Sequence, residues 1–115
     1  MNTSILFATL TAIAANNKEG YTVDAATLQP ITNGYAVAVA ATQNSFGPEG
    51  LARVIEYAKT HKKVNAFGGW FNTDNGRYYY DATIVVSSLA DALELGHSAG
   101  QIAIFDLSNC RLIRL

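Results

Sequence analysis

The chemistry that this 115-residue chain offers is concentrated on one face of a predicted β-hairpin, at Trp70, Asn72, Tyr79 and Asp81. These residues stand at alternate positions of two runs rich in β-formers, so each run points them to the same side. Trp and Tyr bury a large area with little rotamer loss, and they dominate the energetic centres of interfaces. The pattern therefore favours contact with a partner. Asp81 alone has the chemistry of a general acid, but a hydrogen bond to a neighbouring hydroxyl or to the indole N–H is the simpler expectation.

The turn between the two runs predicts how the strands pair. Asn75-Gly76 tolerates positive φ at both central positions of a type I′ turn. This turn would place Trp70 opposite Asp81, and Phe71 opposite Tyr80. The face opposite Trp70 is apolar and is expected to be buried against helices; it carries Phe67, Phe71, Tyr78, Tyr80, Ala82 and Ile84. Only Tyr79 of the three consecutive tyrosines then stays on the outer face, which weakens a base-stacking interpretation.

Motifs of nucleophilic or metal-dependent catalysis are missing from the sequence. His61 and His97 stand on predicted helix surfaces without a neighbouring Ser or Cys to activate. Gly68-Gly69 lacks the Lys and the following helix of a phosphate loop, and it predicts a bulge or a close backbone approach instead. One cysteine, Cys110, and two histidines do not match structural zinc spacing. We therefore expect no enzyme, no catalytic residues, no metal and no cofactor.

Basic residues supply the alternative of a nucleic-acid-associated module, with contacts from Lys59, Lys62, Lys63 and Arg77. The three lysines follow a predicted helix, where cations offset the helix dipole and remain solvated. The whole chain has eight basic and nine acidic residues, a formal charge of −1. A duplex-binding protein clusters its basic residues and a DNA mimic its acidic ones, and neither cluster is present.

Composition indicates one compact domain in a reducing compartment, which we take to be the cytoplasm. Half of the residues are hydrophobic and 15% are charged, a composition that is compatible with a homodimer as well as with a monomer. The first fifteen residues have an apolar run but no basic residue before Lys18, which argues against a signal peptide. The run is also shorter than the roughly 20 apolar residues of a membrane span. No membrane association is expected.

Periodicity and capping signals predict a single α+β domain, with a mostly antiparallel sheet and about three helices. An N-terminal helical segment occupies residues 1–19, with a strand as the alternative, and the sheet with two helices occupies residues 20–115. The predicted elements of the sheet part are a strand at Tyr21–Val23, a hairpin-like pair at Leu28–Thr32 and Tyr35–Ala41, a helix that starts at Ser45-Phe46-Gly47-Pro48-Glu49, the aromatic hairpin, a helix capped by Ser88, and a last pair at Gln101–Leu107 and Arg111–Leu115. In the last pair, Asp106 is expected opposite Arg111, and Phe105 opposite Leu112. Tyr35–Ala41 is apolar on both faces and is expected to be a central strand, with its alanines close under a helix.

Three segments carry a resemblance to a group of known proteins: GYAVAVAATQNSFG, the stretch from GGWFNTDNGRYYYDATIVV to LADALELGHSAGQIAIFDLSN, and RLIRL. Across residues 20–115 the chain resembles small accessory proteins carried by phages, prophages and conjugative elements. The resemblance implies a non-enzymatic factor, and some such factors act against host restriction or CRISPR defence. The near-neutral charge departs from the acidic DNA-mimic type.

The function we expect is a protein-binding accessory module encoded by a phage or mobile element, an anti-CRISPR or anti-restriction candidate. Its partner would be a protein of a host complex, bound through Trp70, Asn72, Tyr79 and Asp81. The alternatives are the nucleic-acid-associated module that uses the basic helix end, and a small enzyme without a recognisable motif.

Overall fold

The computed structural model describes residues 2–101 and 103–115. Within them the chain forms three α-helices, a short 3-10 turn and seven strands. In chain order these are α1 (Thr3–Asn16), β1 (Tyr21–Asp24), β2 (Tyr35–Ala38), the 3-10 turn (Ala40–Thr42), β3 (Ser45–Phe46), α2 (Gly47–Thr60), β4 (Ala66–Asn72), β5 (Arg77–Val86), α3 (Leu89–Ser98), β6 (Ala103–Asp106) and β7 (Arg111–Arg114). The predicted α+β class with an antiparallel sheet is confirmed.

The strands form one antiparallel sheet in the order β1-β4-β5-β2-β6-β7, and the short β3 also pairs with β5. The prediction that β2 is a central strand is confirmed, since it pairs with β5 on one side and β6 on the other. The predicted hairpin-like pair at Leu28–Thr32 is wrong. That segment is a loop with a single bridge from Pro30 to Val23, because β5 and β6 occupy the two edges of β2 and Pro30 has no N–H to donate to a strand partner.

The central hairpin of β4 and β5 has a different turn from the predicted one. Asn72 pairs with Arg77, and residues 73–76 form a four-residue loop in which only Gly76 has positive φ. The side chains of Asn72 and Asn75 accept from the backbone N–H groups of Asp74 and Arg77, a local competitor of the type I′ turn. The predicted pairing is therefore wrong by two residues. The predicted assignment of residues to the two faces is still correct, since a shift of two residues preserves the alternation of side chains.

All three helices pack on the same face of the sheet. α1 begins with Asn2 accepting from the Ile5 N–H at 2.8 Å, and it packs on α2. The larger core lies under α1 and α2 and includes Leu10, Leu51, Val54, Ile55, Phe67, Tyr80 and Ala82. A smaller core under α3 joins Val37, Ala92 and Ile104. Ser88 caps α3 as predicted, accepting from the Asp91 N–H at 3.0 Å.

The C-terminal strand pair matches its predicted register. Asp106 lies opposite Arg111, and Phe105 lies opposite Leu112. The turn is held by Asp106, whose carboxylate accepts from the Asn109 amide at 2.8 Å. That contact holds the pKa of the Asp106 carboxyl below its usual range. Of the strand predicted over Gln101–Leu107, Ile102 lies outside the described residues.

Candidate functional site

The face of the sheet opposite the helices carries no helix among the described residues, and we call it the open face. Directly paired residues of neighbouring strands share a face, which places Thr22, Gly68 and Asp81 in one row across β1, β4 and β5. A parallel row runs from Ala36 through Phe105 to Leu112. The expectation that the β2 alanines sit under a helix is wrong. Val37 faces α3, and the alanines face outward, where their small size leaves space.

Three aromatic rings form a continuous ridge on the open face: Phe46, Tyr79 and Trp70. Trp70 stacks on Tyr79 with ring centroids 5.1 Å apart and planes 18° apart. Phe46 meets the other side of Tyr79 edge-on at 5.5 Å. Trp70 is 46% exposed and Phe46 38% exposed, although both are large and apolar. This aromatic ridge is therefore preorganised for contact and still open to solvent.

Asn75 of the hairpin loop and Arg77 at the start of β5 hold two rings of the ridge, Tyr79 in the middle and Phe46 at one end. The guanidinium of Arg77 lies 4.3 Å from the centroid of the Phe46 ring, a cation–π contact. The Asn75 amide donates to the Tyr79 hydroxyl at 2.8 Å. These contacts restrict the Phe46 and Tyr79 rings, which lowers the entropy lost when a partner covers them.

Phe46 reaches the ridge because β2 leaves β5 and the chain returns to it as β3. After Ala38 the chain turns through Ala40–Thr42, and the buried Thr42 hydroxyl accepts from the Ala82 N–H at 3.1 Å. β3 then pairs Phe46 with Tyr79. The detour leaves a hollow of about 450 Å³ beside the ridge, lined in part by Thr42, Trp70 and Tyr79.

A larger cavity of about 660 Å³ lies on the other side of Trp70, and we call it the sheet cavity. Gly68, Asp81, Thr83 and the β2 alanines line it from the sheet. Trp70 lines it from β4, Phe105 and Leu112 from the C-terminal hairpin, and Ile31 and Thr32 from the loop before β2. Its lining is mostly apolar, and its size falls within the usual range of about 300–1,000 Å³ for small-molecule sites.

Asp81 places a carboxyl group on this lining. The Thr83 hydroxyl donates to its Oδ1 atom, which confirms the expected hydroxyl partner in place of the indole. Gly68 lies opposite, and a Cβ there would stand 2.7 Å from Oδ1 and 3.1 Å from Oδ2. The glycine thus admits the carboxyl. The predicted bulge or close backbone approach is wrong at Gly68, because β4 pairs with β5 without interruption and side-chain atoms make the approach. The residue keeps part of its surface exposed, yet the desolvation of its carboxyl raises the pKa of Asp81.

The tyrosines of the helical face are buried within the fold, in contrast to the exposed rings of the aromatic ridge. Tyr78 donates to the Asn17 carbonyl at 2.6 Å and stacks on Tyr21 with centroids 6.3 Å apart. Burial raises the pKa of Tyr78 to about 12 and that of Tyr21 further above its usual range. Tyr80 is 7% exposed. Only Tyr79 of the triplet reaches the open face, as the alternation predicts.

The four predicted partner-binding residues lie on the open face, but they belong to different parts of it. Trp70 and Tyr79 belong to the ridge, and Asp81 belongs to the cavity lining. Asn72 is partly exposed, but its side-chain oxygen accepts from the Asp74 N–H at 2.9 Å and so serves the hairpin loop.

The predicted basic contacts are not brought together. Arg77 lies over Phe46, which directly precedes α2, whereas Lys59 is in the last turn of that helix and Lys62 and Lys63 follow it. A 14-residue helix separates these ends by about 20 Å. Lys59 also pairs with Glu56 at 3.6 Å.

Sequence reasoning missed Phe46, the β2 alanines and the C-terminal hairpin as parts of this surface. Phe46 looked like part of a helix start, and it is the N-cap residue of α2 as well as a strand residue. The run of small residues at alternate β2 positions, together with Gly68, was the available signal for a cavity. Phe105 and Leu112 join it only because β6 pairs with β2.

The described residues contain no group of three or more His, Cys, Asp or Glu side chains that could hold a metal ion. None of the helices in the described part of the chain is long and apolar enough to cross a membrane. No protein-family model, curated protein or solved structure matches the chain. The resemblance to accessory proteins of phages and conjugative elements therefore stays a prediction.

Proposed function

We propose that this protein is a non-enzymatic binding module that docks on a protein partner through the aromatic ridge. The observation that carries the proposal is the exposure of Trp70 while it is stacked on Tyr79 and bordered by cavities on two sides. An anchor that is already ordered loses little entropy on binding, and neighbouring hollows accept side chains of the partner.

A partner of this kind would bury the ridge and the rim of the sheet cavity. The resemblance to mobile-element accessory proteins makes a bacterial CRISPR or restriction complex the first partner to examine. The separation of Arg77 from the lysines favours a protein over a nucleic acid, since phosphate binding requires several cations along one surface.

Capture from a bacterial lysate tests the proposal, with the wild type, Trp70→Ala and Leu89→Ala compared side by side. Leu89 is the matched control, because it is a large apolar residue on α3 with 41% exposure. Each sample is divided, and one half is treated with nuclease. We expect a nuclease-resistant protein that is retained by wild type and Leu89→Ala and lost from Trp70→Ala.

Capture that survives Trp70→Ala would contradict the proposal, and so would capture that disappears after nuclease treatment. Thermal unfolding of each variant shows that a loss of capture is not a loss of fold. Trp70 lies outside both cores, so its variant is expected to unfold cooperatively.

A further inference from the structure

The Asp81 carboxyl has one polar partner and no cationic one among the described residues. The Thr83 hydroxyl bonds to Oδ1, and the hydrogen bonds of the described residues include none to Oδ2. The described residues contain an ion pair between Lys59 and Glu56, but it lies near the C-terminal end of α2 and does not involve Asp81. A desolvated carboxylate without a cation is unfavourable for folding, so its position in a cavity points to a ligand that supplies the missing charge.

The charges around the sheet cavity have one sign. Glu19 and Asp81 are the charged residues on its lining, and no Lys, Arg or His of the described residues joins them. Anionic ligands would meet two carboxylates without a compensating cation. A cation would meet Asp81 on the lining and a second carboxylate at Glu19.

The rest of the lining suits an apolar body. Trp70 offers an exposed aromatic ring on β4, and Phe105 and Leu112 offer exposed apolar side chains on β6 and β7. β4 and β6 are three strand spacings apart in the sheet, about 14 Å, which leaves room for a ligand between them. A ring beside a cation site also adds cation–π attraction.

We propose that the sheet cavity binds a small organic ammonium ion, with its nitrogen on the Asp81 carboxylate and its apolar part between Trp70 and Phe105. Thr83 and Gly68 are positioning residues in this site. The hydroxyl orients the carboxylate, and the glycine keeps the space beside both carboxylate oxygens clear. The site does not depend on the docking of a protein partner.

Matched pairs of probes that differ in charge alone test the proposal: tryptamine against tryptophol, and octylamine against octanol. Binding to the full chain is followed by amide chemical shifts, so that the site is located along with the affinity. We expect each amine to bind about tenfold or more tightly than its alcohol, because a hydrogen bond to a charged group is stronger than one between neutral groups. The shifts are expected at Gly68, Asp81 and Thr83.

Asp81→Asn keeps the shape of the side chain and an acceptor for Thr83 while it removes the charge. It is expected to abolish the preference for the amine, whereas Asp74→Asn in the hairpin loop, and thus away from the cavity lining, is expected to keep it. Glu19→Gln separates the contribution of the second carboxylate. Should Asp81→Asn fail to fold, the proposal is still tested by the ratio of amine to alcohol affinity, measured for the wild type and for Thr83→Val.

The pH profile provides a readout that a purely structural role of Asp81 would not move. Because protonation removes the negative charge, the affinity for the amine is expected to fall as pH is lowered through the Asp81 pKa. In Asp81→Asn this fall in affinity is expected to be absent. The other titratable residues on the cavity lining are Glu19, Tyr21 and Cys110. Equal affinity for amines and alcohols, shifts away from the cavity, or a preference for the amine that survives Asp81→Asn would overturn the proposal.

Discussion

The two faces of the β4–β5 hairpin are built from adjacent residues and have opposite consequences. On the helical face, Phe67, Tyr80 and Ala82 are nearly inaccessible and join the core under α1 and α2. On the open face, Trp70 is exposed, and so is Phe46 of β3, which pairs with Tyr79 of the hairpin. Both faces use aromatic rings in contact with one another, so composition alone does not distinguish the buried face from the exposed one. The faces differ because helices pack on only one of them.

The difference extends to the ionisable groups. On the helical face, the Tyr78 hydroxyl is used in a hydrogen bond to the chain itself. On the open face, the Asp81 carboxyl is bonded to a single hydroxyl and borders a cavity. The helical face is therefore expected to govern stability, and the open face to govern binding.

The largest expected effect on stability comes from truncation in the helical face. Phe67→Ala removes a ring that is 3% exposed and leaves a cavity between the sheet and the helices, at a cost of about 3–5 kcal/mol in the free energy of unfolding. Trp70→Ala on the open face is expected to cost about 1 kcal/mol or less. Urea unfolding of both variants measures the difference. Equal costs would show that Trp70 belongs to the folding core.

The glycine pair of β4 allows a comparison of smaller changes. In Gly69→Ala the new Cβ would stand 2.4 Å from Cε1 of Tyr21 and 2.7 Å from Cε1 of Tyr78, inside the packed face. We expect a loss of about 1–3 kcal/mol from this overpacking. Gly68→Ala meets the Asp81 carboxyl, which can move toward the cavity, so its cost is expected to be smaller. A larger cost for Gly68→Ala in thermal unfolding would contradict this account.

Asp81→Asn is expected to change how stability depends on pH. The folded pKa of Asp81 is raised above its ordinary value of 3.8, so the wild type has its full stability below that value and loses some as pH rises toward the folded pKa. The variant has no such loss. Its stability relative to wild type should therefore increase from pH 4 upward, which thermal unfolding across a pH series measures.

Asp24→Asn supplies the opposite case for the same pH series. The backbone N–H groups of Thr27 and Ala26 hold the pKa of Asp24 below its usual range, so its contribution is present at neutral pH and disappears as pH falls. As pH rises from 4, the stability relative to wild type should increase for Asp81→Asn and decrease or stay level for Asp24→Asn. A decrease for Asp81→Asn over this range would show that the Asp81 carboxyl is not desolvated.

Alternation was enough to predict the two faces of the hairpin, the central position of β2 and the register of the last strand pair. The hairpin turn was not predictable from Asn75-Gly76, because Asn72 and Asn75 use their side chains to stabilise a longer loop. The fate of Leu28–Thr32 was also missed, since it depended on which strands lie beside β2.

The candidate site could be predicted only where it is local. Trp70, Tyr79 and Asp81 share a hairpin, so a period of two was sufficient to place them together. Phe46 and Phe105 reach the same face through pairings between segments far apart in the chain. The cavity depends on all of these pairings and on the small residues of β2, which gave no reason by themselves to choose the open face over the helical one.

Trp70 is the single tryptophan of the chain, which allows the central claim, that the open face is the binding face, to be measured at one residue. Labelled with 5-fluorotryptophan, the protein carries one fluorine, and its ¹⁹F resonance is followed while the captured partner is added. We predict that the resonance shifts or broadens in proportion to complex formation and becomes protected from solvent. An unchanged resonance in a sample that size-exclusion chromatography shows to be fully bound would contradict the account.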